Sequence, residues 1–281
     1  ASGTVILDEL GAEHIRTGLP ICYTSADSVL QIAAHEEAFG LERLYVLCEA
    51  IAPMLHERRV GRVIARPFLG DAETGFERTV NRRDFALAAP EPTLLDWVYD
   101  AGRPMHAVGK IGDIFAHRGV TDNAKGTDEA LMEALIGLAD TAEDGSLTFA
   151  NFVEFDSKYG HRRNVAGYAR HLEWFDAQLH RFFDRMKPGA LVIFTADHGN
   201  AEVMRDSETG EPFTSHTLNR VPVILVNGAA DINALADGRL SDVAPTLLAL
   251  MGLPQPKQMT GRSLLPGADK PSDLTHERVS A

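Results

Sequence analysis

The fold class is indicated most clearly by the segment Ala190-Leu191-Val192-Ile193-Phe194-Thr195-Ala196-Asp197-His198-Gly199. Its first seven residues carry no charge, and a continuous apolar run of this length predicts a strand that is buried on both faces. In doubly wound sheets, ligands bind beyond the carboxyl ends of the strands. Asp197 and His198 stand at that end, and a carboxylate with an imidazole suits Mn²⁺ or Zn²⁺. A plain turn without a metal is the alternative for this motif taken alone.

Around this stretch, predicted helices and strands alternate, which favours a parallel sheet covered by helices on both faces. The helices are expected at 93–101, 128–142, 165–186 and 241–251, and the strands at 106–111, 147–155, 190–196 and 221–226. Before a linker at Pro90-Glu91-Pro92, residues 5–56 are predicted to be mostly helical, including Val29–Ala33, and residues 60–68 to form a strand. We therefore expect a small α+β domain over 1–90 and an α/β sheet domain over 91–281.

The charge, the apolar runs and the cysteine count of the chain argue against several classes of partner and compartment. Lys and Arg number 27 against 40 Asp and Glu, and this net charge of −13 argues against a nucleic-acid partner. No apolar run approaches the ~20 residues that span a bilayer, so no membrane partner is expected. Two cysteines are too few for a disulfide framework and indicate a reducing compartment, hence the cytoplasm. The N-terminal residues Ala1–Thr4 have no signal-peptide features, which leaves open that the chain starts partway through a longer protein.

Two further segments carry candidate ligands. A strand Phe152–Phe155 is predicted to end at Asp156, and His161 follows five residues later. His216 stands just before the strand at 221–226. With Asp197 and His198, these side chains would converge on one edge of the sheet, so the sequence predicts a divalent metal there. Two ions at such an edge would clamp the attacking and leaving oxygens of a transferred phosphoryl group.

A local reversal of charge indicates phosphate binding. Residues 56–83 hold seven arginines and four acidic residues although the whole chain is acidic. Arginine forks match phosphate oxygens, whereas a solvated basic face is the alternative. The arginines are Arg58, Arg59, Arg62, Arg66, Arg78, Arg82 and Arg83.

Four segments resemble bacterial phosphopentomutases, and the resemblance runs to about Asn200. They are Tyr23-Thr24-Ser25-Ala26-Asp27-Ser28, Val60-Gly61-Arg62-Val63-Ile64-Ala65-Arg66-Pro67-Phe68, Val108-Gly109-Lys110-Ile111-Gly112-Asp113-Ile114 and Phe155-Asp156-Ser157-Lys158-Tyr159-Gly160-His161-Arg162-Arg163. Beyond Asn200 the chain is more similar to cofactor-independent phosphoglycerate mutases. That part comprises Asp197-His198-Gly199-Asn200-Ala201-Glu202, Ser215-His216-Thr217, Asp242-Val243-Ala244-Pro245-Thr246 and Met259-Thr260-Gly261-Arg262-Ser263-Leu264. Both families belong to the alkaline phosphatase superfamily.

The resemblance implies an alkaline-phosphatase-like fold, with a doubly wound α/β core and a small α+β cap over 1–90. It implies two Mn²⁺ per active site, one held by Asp156, His161 and His216 and the other contributed to by Asp197 and His198. The residues that match sugar-phosphate-binding positions are Ser25, Asp27, Arg66, Arg78, Arg82 and Lys110. The implied activity interconverts the 1-phosphate and 5-phosphate of ribose or deoxyribose, and the implied partner is this small sugar phosphate.

Two catalytic-site residues of the family have no match in this sequence. The family's phosphorylated Thr and one metal-binding Asp lie in an N-terminal segment that no stretch here reproduces, so no catalytic nucleophile is assigned. We therefore expect little or no mutase turnover from this chain alone. Two alternatives stay open: a phosphoglycerate mutase, and a non-catalytic module that binds a sugar phosphate and a metal. The sequence does not indicate an oligomeric state.

Overall fold

The computed structural model describes residues 5–24, 28–213 and 215–267, and the chain forms two compact units. The first unit runs to Pro90 and also includes Asp113–Arg118. The second unit comprises Glu91–Gly112 and everything from Gly119 onward. Among the helices of the described ranges, none is both long and apolar enough to cross a membrane.

The first unit is built around one mixed sheet. Its strand order is β1-β2-β3-β4, and β5 pairs with β3 as well. Strands β2 and β3 are parallel, whereas the other pairs are antiparallel. The elements are α1 (Val5–Thr17), β1 (Ile21–Thr24), β2 (Val29–His35), a π-helix (Glu36–Gly40), α2 (Leu41–Glu57), β3 (Arg62–Asp71), β4 (Gly75–Arg78) and β5 (Arg83–Ala86).

The predicted helix at Val29–Ala33 is wrong, because these residues form strand β2. The apolar spacing fits a buried strand as well as a helix, and sequence periodicity does not separate the two. Strand β2 lies between β1 and β3, and almost all of its residues are buried. Ile32 and Val63 pack with Cys48 of α2 in the core of this unit. Burial on both faces of a central strand therefore decides the local structure.

The second unit contains two sheets. Strands β7, β6 and β8 form a parallel sheet in the order β7-β6-β8, and β9 and β10 form an antiparallel pair. The elements are α3 (Leu94–Asp100), β6 (Met105–Val108), α4 (Ile111–Ile114, which continues into the first unit), β7 (Asp122–Ala124), α5 (Asp128–Thr141), β8 (Leu147–Ala150), a π-helix (Phe155–Gly160), α6 (Val165–Arg185), β9 (Val192–Thr195), β10 (Val223–Val226), a 3-10 turn (Leu240–Asp242) and α7 (Val243–Leu250).

The predicted α/β class is confirmed, and the parallel pairing holds for β6, β7 and β8. For β9 the expectation of a parallel strand buried on both faces is wrong. Strand β9 pairs antiparallel with β10, and its first three residues are half-buried while Thr195 is exposed. The predicted strand 147–155 is also too long, since β8 ends at Ala150.

The helices beside the parallel sheet hold the segment that carries Asp156. Helices α5 and α6 pack through Met132, Ile136 and Phe182, and Phe152 and Phe175 join this cluster. The rings of Phe152 and Phe175 meet edge to face at 5.1 Å between centroids. This core fixes the chain on both sides of the π-helix Phe155–Gly160.

Candidate metal centre

Asp156 lies on a helical turn. The structure replaces the predicted strand end with the π-helix Phe155–Gly160, in which the His161 amide donates to the Asp156 carbonyl at 2.8 Å. This bond spans five residues, and single π-turns of this kind are frequent at functional sites. The wide turn brings the side chains of Asp156 and His161 to the same side of the chain.

The two carboxylate oxygens of Asp156 each face a histidine. Oδ2 lies 3.1 Å from His161 Nε2, and Oδ1 lies 3.2 Å from His216 Nε2. The imidazole rings of His161 and His216 are 5.0 Å apart between centroids. The side chains of both histidines are a little under half exposed, so the cluster opens to solvent.

His198 joins this cluster from the segment that follows β9. Its ring stacks on that of His216 with centroids 3.6 Å apart, and ligand atoms of His198, His216 and Asp156 lie within 4.8 Å of one another. Asp197 is different, since its side chain is 77% exposed and 3.6 Å from His198. The geometry thus places His198 with Asp156 and His216, whereas the resemblance pairs it with Asp197.

The donor set fits a divalent cation. One carboxylate and several imidazoles form a mixed oxygen and nitrogen set of the kind that binds Mn²⁺ or Zn²⁺. Glu202 adds a second carboxylate near Asp156: burial, and after it these two carboxylates, raises the pKa of Tyr168. His216 connects the two sets of contacts, because its Nε2 faces Asp156 Oδ1 while its ring stacks on that of His198.

Several side chains that support this centre were not predicted from the sequence. Asn200 is buried, and its Nδ2 donates to Asp156 Oδ1 at 2.7 Å. Arg163 donates to Asn200 Oδ1 at 3.0 Å, and Glu202 accepts from the Asn200 amide at 2.9 Å. The hydroxyl of Thr217 also hydrogen-bonds to Glu202. The sequence signal was only the adjacency of Asn200 and Arg163 to candidate ligands.

A second carboxylate and imidazole pair lies behind the π-helix. Asp128 is fully buried, and its Oδ2 accepts from His171 Nε2 at 2.9 Å and from the Glu154 amide at 3.2 Å. Burial, which outweighs the bond from His171, raises the pKa of Asp128. The ring of Phe155 packs against that of His171 with centroids 4.5 Å apart. Asp128 and His171 therefore anchor the start of the ligand-bearing turn to α5 and α6.

Replacing Asp128→Ala is expected to lower the free energy of unfolding by about 2–4 kcal/mol, because it leaves the half-buried Glu154 amide and the buried His171 nitrogen without an acceptor. Thermal or urea unfolding measures the change. The matched control is Asp140→Ala near the other end of the same helix, whose exposed bond to Arg185 is worth at most about 1 kcal/mol. Equal losses in the two variants would contradict the anchoring role.

In the first unit, arginines gather on the sheet formed by β3 and its neighbours. Arg66 Nε donates to Gln31 Oε1 at 2.8 Å, and Arg78 Nη2 donates to Tyr23 Oη at 2.8 Å. Burial, and then the charges of Arg82 and Arg78, lower the pKa of Arg66 to about 10. Arg78 Nε is buried and has no hydrogen-bond partner within the described part of the chain. Crowded positive charge with an unused donor suits an anion such as phosphate.

The remaining predicted substrate residues have varied surroundings. Arg82 forms a bidentate salt bridge with Asp84 at 2.6 and 2.7 Å, and the carboxylate offsets the positive charge of Arg82. Lys110 is exposed in the second unit, directly after Gly109. Ser25 and Asp27 lie outside the residues that the structure describes.

A family model of the metalloenzyme superfamily matches residues 98–255, which include every candidate metal ligand. The chain belongs to the metalloenzyme superfamily. This membership agrees with the expected alkaline-phosphatase-like core, and it places the cluster around Asp156 in a protein class that uses metals.

The metalloenzyme chain is similar to curated phosphopentomutases over most of its length. It is 50% identical over 267 residues to the phosphopentomutase of Rhizobium leguminosarum bv. trifolii (strain WSM2304), covering 94% of this chain and 64% of that protein. It is 51% identical over 261 residues to that of Chelativorans sp. (strain BNC1), covering 90% and 61%. With the phosphopentomutase of Agrobacterium fabrum (strain C58 / ATCC 33970) it shares 55% identity over 225 residues, covering 80% and 54%.

The chain thus spans between about half and two thirds of the length of the curated relatives that it matches. Because the match to the Rhizobium protein covers 94% of the chain, similarity to phosphopentomutases continues well past Asn200. The phosphoglycerate mutase alternative is not favoured.

Proposed function

We propose that this chain serves metal-dependent phosphoryl transfer of the phosphopentomutase type, between the 1-phosphate and 5-phosphate of ribose or deoxyribose. The observation that carries the proposal is Asp156 with its two facing histidines in a chain of the metalloenzyme superfamily. The names of the relatives supply the substrate class.

Each group of residues has a distinct part in this proposal. Asp156, His161 and His216 would hold one divalent ion, with His198 beside them and Asp197 on the exposed side. Bound metal would supply positive charge for the transferring phosphoryl oxygens. Arg66 and Arg78 would bind phosphate oxygens, and Arg78 Nε has no hydrogen-bond partner among the described residues. Arg82, Lys110, Ser25 and Asp27 stay proposed substrate residues on the resemblance alone.

Three finer points are proposals as well. Mn²⁺ is the proposed ion, supported by the mixed carboxylate and imidazole donors. The small α+β unit is proposed as the sugar-phosphate-binding cap, supported by its arginines. A cytoplasmic location is proposed from cysteine usage, and Cys22 and Cys48 are free thiols in the structure.

The binding-module alternative rests on the absence of an assigned nucleophile. The hydroxyls beside the proposed ligands are poor candidates: Ser157 donates to the Val153 carbonyl at 2.9 Å, and Thr217 is engaged by Glu202. A binding module and an enzyme part share the same metal and phosphate contacts, so turnover separates them. We expect little turnover from this chain alone.

Ligand selectivity tests the proposal. Calorimetric titration with Mn²⁺ present is expected to give at least about tenfold tighter binding of ribose 5-phosphate than of 3-phosphoglycerate, a difference of about 1.4 kcal/mol. Ribose without phosphate is the control for the arginine contacts and should bind more weakly than either. Tighter binding of 3-phosphoglycerate would favour the phosphoglycerate mutase alternative, and equal binding of all three would contradict a specific phosphate site.

A further inference from the structure

Two side chains outside the candidate ligand set, Arg163 and Asn200, connect all three segments that carry the ligands. We propose that this pair, here called the Arg163–Asn200 brace, positions Asp156 and His216 for metal binding. The inference rests on the proposed metal centre, and it adds two positioning residues to it.

Asn200 reaches the central carboxylate directly. It lies two residues after His198, is 6% exposed, and donates from Nδ2 to Asp156 Oδ1 at 2.7 Å. That oxygen also faces His216 Nε2 at 3.2 Å, and a carboxylate oxygen has lone pairs for two such partners. The amide therefore fixes the rotation of the Asp156 carboxylate by holding the oxygen that faces His216.

Arg163 extends the contact to the third segment. It lies two residues after His161, and its Nη1 donates to Asn200 Oδ1 at 3.0 Å. Its Nη2 donates to the Ser215 carbonyl at 3.1 Å, and Ser215 directly precedes His216. The planar guanidinium presents several donors in a fixed fork, so one side chain can hold both acceptors at once.

The backbone around the brace is shaped for these contacts. Arg163 has a φ of 51°, which is uncommon for a residue with a side chain. A Cβ added at Gly160 would lie 2.6 Å from Asn200 Nδ2, so a larger residue here would push the amide from its position. A left-handed backbone at Arg163 and the small size of Gly160 therefore both serve the same hydrogen-bonded pair.

Because Arg163 is charged, the direction in which Mn²⁺ affinity changes when it is replaced shows how this residue acts. A guanidinium next to a metal site repels the cation, so a purely electrostatic effect predicts tighter metal binding when Arg163 becomes neutral. Positioning predicts the opposite, because partners that orient metal ligands typically contribute 10- to 100-fold in metal affinity, to an order of magnitude. The direction of the change separates the two explanations.

The experiment measures the Mn²⁺ dissociation constant by electron paramagnetic resonance of free Mn²⁺ for the full chain and its variants. Asn200→Ala and Arg163→Met are expected to raise this constant about 10- to 100-fold. The matched control is Arg205→Met, because Arg205 is an exposed arginine of the same unit that donates to the Gly210 carbonyl at 3.2 Å. The Mn²⁺ dissociation constant of Arg205→Met should stay within about twofold of the parent value, as expected for a substitution that removes no contact of the ligands.

Thermal unfolding with chelator present separates positioning from a general loss of structure. The brace predicts that Arg163→Met still folds in the absence of metal and nevertheless binds Mn²⁺ more weakly than the parent chain. If Asn200→Ala does not fold, Arg163→Lys takes its place in the Mn²⁺ titration. Lysine keeps the positive charge but lacks the forked donors of the guanidinium. Unchanged or tighter Mn²⁺ binding in the folded variants, or the same loss in Arg205→Met, would overturn the inference. A parent chain that binds no Mn²⁺ would instead refute the proposed metal centre itself.

Discussion

Replacing Asp156→Asn is expected to weaken Mn²⁺ binding by more than about 100-fold, beyond the range for residues that only orient ligands. The carboxylate of Asp156 faces both His161 and His216, at 3.1 and 3.2 Å. The amide keeps the size of the side chain but removes its negative charge and one acceptor oxygen. The dissociation constant is read from the signal of free Mn²⁺ during titration.

The control for this variant is Asp122→Asn. Asp122 also pairs with a histidine, since its Oδ2 lies 2.7 Å from His106 Nδ1, but no further histidine is grouped with that pair in the described residues. The control should bind Mn²⁺ within about twofold of the parent, as expected for a substitution at a distant site. If the two variants lose Mn²⁺ equally, or if Asp156→Asn binds like the parent, Asp156 is not the central ligand.

Replacing Arg66→Ala is expected to weaken ribose 5-phosphate binding by about 1.5–3 kcal/mol, or about 10- to 150-fold, the range for a hydrogen bond to a charged group. Arg66 is half-buried and crowded by Arg82 and Arg78, and an anion would relieve that crowding. Arg82→Ala should have a smaller effect, because Asp84 already accepts two bonds from Arg82.

Calorimetric titration of the sugar phosphate measures both arginine variants. Arg16→Ala serves as the control, because Arg16 is an exposed arginine of α1 whose contact with Glu13 is long at 3.7 Å. The control is expected to leave affinity unchanged. Equal affinity in Arg66→Ala and the parent would support a solvated basic face in place of a phosphate site.

The candidate ligands could be predicted from the sequence because each stands next to a recognisable strand end or glycine. Asp197 and His198 follow the apolar residues of β9, and His161 follows Gly160. The same reasoning missed the π-helix at Phe155–Gly160, because the apolar run before Asp156 fits a strand as well as a wide helical turn. Four candidates, Asp156, His161, His198 and His216, therefore meet in space although one of the predicted strand ends does not exist, whereas Asp197 stays exposed.

Other parts of the site depend on long-range contacts that no local pattern carries. Asp128 and Glu154 meet across 26 positions of the chain, and Arg163 and Ser215 across 52. Val29–His35 became a strand because neighbouring strands cover it on both sides. Tertiary packing routinely overrides local preference in such segments.

Metal content of the purified chain tests the central claim most directly. Chelator-treated protein would be supplied with Mn²⁺, desalted and analysed for metal, in parallel with Asp156→Asn. At least one Mn²⁺ is expected to be retained per parent chain and far less in the variant, because Asp156 faces both His161 and His216. A parent chain that retains no Mn²⁺, or a variant that retains as much as the parent, would contradict it.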